Sequence, residues 1–215
     1  VSKNPEGGVS EGLGARSAPA VVGRKVLVPG VKYRYEELTV RGADGAERKR
    51  QVVAHPGAVV VVPVLDDGRL VLIRNFRVAV ESAGAWVLEF CAGTLDKPGE
   101  DPAVCAGREL IEETGYRASK VTPLLEGETP GSSGYFYTTP GLTSERMFPY
   151  AATGLTEVGQ ELEEDETIET VAMTAAEVWA AAERGGTGGR AGRTLMDAKS
   201  VVALTLATRR GFVRI

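Results

Sequence analysis

The sequence predicts an α/β chain in which a mixed β-sheet is sandwiched between helices and preceded by an antiparallel β-segment. Three observations lead there. The elements run from closely spaced extended segments, through one sharply delimited helix, to further strands and then two helices, an order that suits a sheet covered on both sides. The run Ala58–Val64 is continuous and β-branched rather than alternating, as a strand buried on both faces must be. The composition allows a core: 43% of the 215 residues are hydrophobic and 25% charged, enough chain for one domain and a small appendage at about 150 residues per domain.

Each element has its own signal. Residues 1–20 are Gly, Ser, Pro and Ala with scattered charge and no apolar period, so a flexible tail is expected. An N-terminal β-segment follows over 21–55, with Tyr33–Val40 and Lys49–Ala54 as a hairpin around the turn GADGAE. The main domain is assigned to 56–215. Within it Ala58–Val64 is a strand, and after the turn Asp66-Asp67-Gly68 its expected partner is Leu70–Asn75. Trp86–Phe90 is another strand. The helix Pro102–Thr114 carries every terminal signal: Asp101 to cap it, Pro102 in its first turn, Gly115 just past its end. Strands are expected at Val121–Leu125, Pro149–Thr153 and Thr167–Met173, helices at Thr174–Arg184 and Asp197–Arg210, and a glycine-rich loop at 185–192.

Composition excludes several classes. A net charge of −4 provides no global field for nucleic acid or anionic membrane, although local basic residues can still hold small phosphates. Two cysteines and one histidine cannot build a disulfide framework or a histidine metal site. The longest apolar run, Ala58–Leu65, is interrupted by Pro63 and is far short of the roughly 20 residues of a membrane span. No signal peptide opens the sequence, so a soluble cytoplasmic protein is expected. Glycine is abundant, 27 residues, but Gly7, Gly8, Gly12, Gly14 and five more in the 185–192 loop account for much of the excess over the usual share of roughly 7 in 100.

The helix at 102–114 has two unlike sides. Ala103, Ala106, Gly107, Leu110 and Ile111 form the expected core stripe, with Gly107 there for close packing. The other side presents Arg108, Glu109, Glu112 and Glu113. Glu109 and Glu113 are one helical turn apart and repel unless a cation sits between them, while Arg108 is spaced to hold Glu112. Carboxylates without thiolate or imidazole suit a hard divalent ion, Mg²⁺ or Mn²⁺. Taken alone, such a face is an ordinary solvated one.

Its surroundings change that reading. The stretch GTLDKPGEDPAVCAGRELIEETGY, residues 93–116, resembles the Nudix box, Gly-x5-Glu-x7-Arg-Glu-apolar-x-Glu-Glu-x-Gly-apolar, through Gly93, Glu100, Arg108, Glu109, Leu110, Glu112, Glu113, Gly115 and Tyr116; only the first spacer is one residue longer. With RKRQVVAHPGAVVVVPVLDDGRLVLIRNFR, LEFCAG, FYTTPGLTSERM and DAKSVVALTLA, the resemblance runs from about residue 24 to 208 and points to the ADP-ribose and nucleoside diphosphate sugar pyrophosphatases of the Nudix hydrolases.

That resemblance implies a Nudix fold, a homodimer built through the N-terminal β-segment, a small-molecule nucleotide-sugar substrate, and Mg²⁺-dependent cleavage of its diphosphate. Glu109 and Glu113, with the Ala92 carbonyl and Glu112, would hold metal. Arg108 would orient a carboxylate, and Glu112 is counted with it in the catalytic set. Arg77, Glu89 and Pro140 would lie along the substrate. Cys91 stands where the group usually has proline. The base that activates water is carried by a loop corresponding to Glu161–Glu166, and alignment on Ile168 puts it at Glu166, with Glu164, Asp165 and Glu145 as alternatives. ADP-ribose is the leading substrate, UDP- or GDP-sugars the second, and a nucleotide sensor without turnover the reading from another class. His55 reads as a turn residue, Cys91 and Cys105 as small packed residues, Trp86 and Trp179 as core, and the GGTGG loop lacks the Lys-Ser/Thr of a P-loop.

Overall fold

A computed structural model describes residues 18–83, 86–129, 131–162, 166–184 and 195–214. The tail expected at 1–20 falls almost wholly, and the 185–192 loop wholly, outside the described residues, as do Glu164 and Asp165. The chain divides into two compact units, residues 1–53 and 54–215.

The first unit is a three-stranded sheet of β1 (Ala20–Pro29), β2 (Arg34–Arg41) and β3 (Glu47–Ala54), in that order, with β1 antiparallel to β2. The hairpin β2–β3 turns where expected, with Gly45 N–H donating to the Gly42 carbonyl at 3.0 Å. The expected hairpin does not include β1, although its partner β2 follows directly, with Pro29 opposite Arg34 across a short turn that begins at Pro29-Gly30. Glu36 on β2 is buried and paired with Arg24 and Arg34. Val21, Val22, Val26, Val28, Tyr33 and Tyr35 remain exposed.

The second unit is a mixed α/β sandwich. One sheet runs β7 (Ala92–Thr94), β4 (Ala58–Pro63), β10 (Arg146–Glu157), β8 (Tyr116–Pro123), with β9 (Phe136–Tyr137) on β10. The other runs β11 (Ile168–Met173), β5 (Leu70–Phe76), β6 (Trp86–Glu89), β12 (Leu195–Met196). Strands β4 and β10 are parallel, as are β6 and β12; the other pairs are antiparallel. The helices are α1 (Pro102–Thr114), α2 (Ala175–Glu183) and α3 (Ala198–Arg209).

β4 shows why its sequence is apolar throughout. Val60 and Val62 pack into a core with Leu204 and Ala207 of α3 and Val178 of α2, while Val59 and Val61 pack with Ala106 and Leu110 of α1. All four valines are fully buried, each worth about 1.5–3 kcal/mol against exposure. Asp101 caps α1 by accepting the Ala103 N–H at 2.8 Å, and Gly115 ends it at φ 75°. Thr174 and Glu177 form a capping box on α2, and Asp197 caps α3.

Three expectations are corrected. Leu70–Asn75 is a strand but not the partner of β4. The hairpin begins, with a Val64–Leu70 bridge and Leu65 N–H donating to Arg69, and then splays, each strand entering a different sheet. The local turn signal was right; β10 and β11, distant in sequence, captured the strand edges. The buried face of α1 is also turned. Cys105, Ala106, Leu110 and Glu113 are buried, while Ala103, Gly107 and Ile111 are only half-buried. Finally, a Cβ on Gly107 would meet nothing within 4 Å, so close packing does not explain that glycine.

Candidate active site

The rotation of α1 carries carboxylates inward. Edge strand β7 lies beside this helix, and its Ala92 N–H donates to Glu113 Oε2 at 2.8 Å. One turn earlier, Glu109 lies against Gly93 so closely that a Cβ there would fall 1.8 Å from the Glu109 Cδ. A side chain at position 93 would push the Glu109 carboxylate out of this place, which accounts for the glycine that opens the motif.

Arg108 organises the rest. Its Nε and Nη2 reach the two oxygens of Glu100, each at 3.1 Å, and Nη1 lies 2.7 Å from both Glu112 Oε2 and Glu109 Oε1. One planar cation thus holds three carboxylates, with its hydrogen bonding to Glu100 the largest influence raising its already high pKa. Glu100 meets Arg108 despite the longer spacer.

The acidic pair is left short of positive charge. The Glu113 residue is 3% exposed and the Glu109 side chain 12%. Burial pushes the Glu109 carboxyl up to about 7, against the pull of Arg108 and with Glu112 and Glu166 adding repulsion. Burial pushes Glu113 up to about 8, against the Ala92 hydrogen bond and with Glu109 and Glu166 adding repulsion. Glu166 is half-buried and its field reaches both, so residues 57 and 53 positions apart in sequence share one site.

This donor set fits a hard divalent cation: oxygen ligands, low dielectric, and unbalanced negative charge. Among the described residues no three His, Cys, Asp or Glu side chains already converge as a cage. Arg108 occupies oxygens of Glu109 and Glu112, and the Ala92 N–H occupies one of Glu113.

A second charged cluster adjoins the first. Arg77, just past β5, places Nε and Nη2 on the two oxygens of Glu89, both at 2.8 Å. Glu89 is 1% exposed and also bonds Lys199, which in turn bonds Asp197. Arg77 itself is partly exposed and lies within the field of Glu113. Phe90 N–H donates to the buried Ser200 Oγ at 2.9 Å, so the first turn of α3 grips the strand end that leads to Ala92. Lys199 escaped the sequence reading; its only signal was a lysine two residues past the Asp cap, where nearly any residue is tolerated.

The remaining candidates separate. Pro140 is exposed in the turn between β9 and β10, and among the described residues that turn shares no hydrogen bond or ion pair with the carboxylate cluster. Glu145 accepts the Thr138 hydroxyl and lies 3.6 Å from His55, whose Nδ1 accepts the Gly57 N–H at 3.0 Å, as befits a turn histidine. Cys91 and Cys105 are buried free thiols, and burial holds both pKa values up, that of Cys105 at about 12. Trp179 packs against the core, and Trp86 stacks edge-on with Phe76. No helix among the described residues is long and apolar enough to cross a membrane.

Comparison with known proteins bears on this site. Residues 54–190 match the family model of the NUDIX domain. An ADP-ribose pyrophosphatase from Bacillus subtilis is 39% identical over 133 residues, 61% of this chain and 65% of that protein, so the match spans just under two thirds of that relative. A GDP-mannose pyrophosphatase from Cronobacter sakazakii is 31% identical over 186 residues, 82% of this chain and 86% of that protein. A crystal structure described as an ADP compounds hydrolase superposes with a TM-score of 0.70 over 94% of this chain and 99% of that one, at 23% identity, a likeness of fold.

Proposed function

The chain belongs to the NUDIX family, and from that premise we propose that it is a metal-dependent pyrophosphatase that hydrolyses ADP-ribose to AMP and ribose 5-phosphate. The observation that carries the reading is the buried pair Glu109 and Glu113, one turn apart, walled by Gly93 and left with more negative charge than Arg108 balances. A site without use for a cation has no reason to keep such a pair.

Glu109 and Glu113, with Glu112 and the Ala92 carbonyl, would hold Mg²⁺, or Mn²⁺ in its place. When bound, the ion supplies charge neutralisation for the diphosphate and lowers the pKa of water. Arg108 keeps Glu109 and Glu112 oriented and does not touch substrate. Glu166 is the base: its carboxylate takes a proton from the water that attacks phosphorus, as the bridging P–O bond breaks and the leaving phosphate departs. Arg77 presents its free edge to a phosphate or ribose, and Glu89, with both oxygens occupied, acts through Arg77. Pro140 borders the substrate from its exposed turn. The exposed apolar residues of β1 support a homodimer formed through the N-terminal sheet, and two unpaired thiols suit a cytoplasmic setting.

A second substrate reading, a UDP- or GDP-sugar, is favoured by the longer stretch shared with the GDP-mannose pyrophosphatase. One assay separates them: incubation with Mg²⁺ and ADP-ribose, UDP-glucose or GDP-mannose, followed by separation of products. Release of AMP from ADP-ribose, abolished in Glu113→Gln, supports the first reading. Release of GMP or UMP instead moves the assignment to the second. Tight nucleotide binding without turnover at any metal concentration makes the protein a sensor. Glu166→Gln is expected to slow turnover about 10²–10⁴-fold while leaving metal affinity nearly unchanged; a near-normal rate removes Glu166 from the role.

A further inference from the structure

The last carbonyls of a helix have no partners within it. At the end of α1 those of Glu112 and Glu113, and that of the capping Gly115, are met by one short segment that leads into the acidic stretch. Val158 and Gly159 N–H donate to the Gly115 carbonyl at 2.7 and 3.1 Å, and Glu161 N–H donates to the Glu112 carbonyl at 3.1 Å. Between them, the side-chain amide of Gln160 donates to the Glu113 carbonyl at 2.6 Å and to Thr170 Oγ1, on β11, at 2.9 Å. The approach is close: a Cβ on Gly115 would fall 2.9 Å from both Gln160 N and the Gly159 carbonyl carbon.

Gln160 therefore touches two elements at once. One is the residue whose carboxylate faces Ala92; the other is the strand that begins two residues after Glu166. On that downstream side, Phe76 N–H donates to the Thr167 carbonyl at 3.3 Å, and Ile168 pairs with Asn75. On the upstream side the clamp is Gln160 and its neighbours.

We infer that Gln160 is a positioning residue: its amide bridges the carbonyl end of α1 to β11 and thereby sets where Glu166 stands relative to Glu109 and Glu113. This rests on the pyrophosphatase reading with Glu166 as base. Gln160 is exposed and lies outside both cores, so its removal does not open a cavity. Its effect comes through geometry at the reacting water.

The test uses the full chain. Gln160→Met keeps the length and removes both donated bonds; Thr170→Val removes one acceptor at constant shape; Thr170→Ser restores it. On the nucleotide sugar that wild type cleaves fastest, at saturating Mg²⁺, Gln160→Met is expected to lower kcat about 10-fold with KM moved less than about 2-fold, as a small misplacement of a reacting group does. Thr170→Val loses less, the double variant loses no more than Gln160→Met, and Thr170→Ser keeps the wild-type rate. In the free protein, amide exchange quickens at Val158, Gly159 and Glu161 in Gln160→Met while the melting temperature holds. A wild-type kcat in Gln160→Met, additive losses in the double variant, or a kcat loss accompanied by faster exchange throughout both sheets overturns the inference. If wild type cleaves no nucleotide sugar, the pyrophosphatase reading fails by itself. Exchange still decides the clamp, and unchanged protection at 158–161 in Gln160→Met overturns it.

Discussion

Glu89 and Glu113 are both buried carboxylates of the same domain, 1% and 3% exposed, and their surroundings treat them in opposite ways. Burial works to raise the pKa of Glu89, but the hydrogen bonds and charges of Arg77 and Lys199 outweigh it and hold the group below the usual carboxylate range. Lys199 is likewise opposed by burial and held up by Asp197 and Glu89. That cluster is balanced, two cations against two anions. At Glu113 burial wins, because the one direct hydrogen bond is a neutral N–H and the nearby carboxylates add repulsion. Burial alone therefore does not mark a working group. The mark is a buried charge whose partner the protein does not supply.

The largest expected effect breaks the contrast from the catalytic side. Glu113→Gln removes several kcal/mol of transition-state stabilisation, a fall in kcat on the order of 10³-fold. The apo variant should melt no lower than wild type, because it loses repulsion rather than a partner. A variant with near-normal turnover removes Glu113 from the metal site.

Glu89→Gln should do the reverse. It strands Arg77 and Lys199 beside a neutral amide, at a cost of about 3–5 kcal/mol to folding, measured by urea unfolding. A loss of less than about 1 kcal/mol, the range of surface pairs, would show that water already reaches this network.

pH sharpens the comparison further. Glu109 and Glu113, near 7 and 8 when folded, have an ordinary value of 4.5. Between those limits the folded protein holds protons that the unfolded chain has released. Their contribution is fully present below about pH 4.5 and is lost as pH rises through 7 to 8. The apo melting temperature should carry a downward component from pH 5 to 8, and saturating Mg²⁺ should stabilise more at pH 8 than at pH 6. Equal Mg²⁺ stabilisation at both values contradicts proton-linked binding at this pair.

The smallest effect is a control on the open side of α1. Gly107→Ala should add about 0.5–1 kcal/mol of stability, since helix propensity improves and the new methyl meets nothing. Destabilisation in thermal melts would mean that this face is covered.

Much of this was legible in the primary structure, and the reasons are local. α1 was readable from Asp101, Pro102 and Gly115 because caps act within a few residues of the backbone they satisfy. The Arg108–Glu112 contact was readable because helical spacing makes such residues neighbours. The splayed β4–β5 hairpin misled, since a turn signal says nothing of which edge a strand later finds. Lys199 and Gln160 were missed because the contacts that tie them to the site, to Glu89 and Glu113, span 110 and 47 positions, with no local pattern to mark them.

By itself, then, the amino-acid order determined the helix with its ends, the doubly buried strand and the spacing of the acidic residues, all consequences of backbone geometry over a few residues. Only the tertiary structure decided that α1 turns Glu113 inward against Ala92, that Glu166 joins it, and that Glu89 is neutralised while Glu113 is not. Those outcomes depend on which distant charges burial brings within a few ångströms, where low dielectric makes each one count.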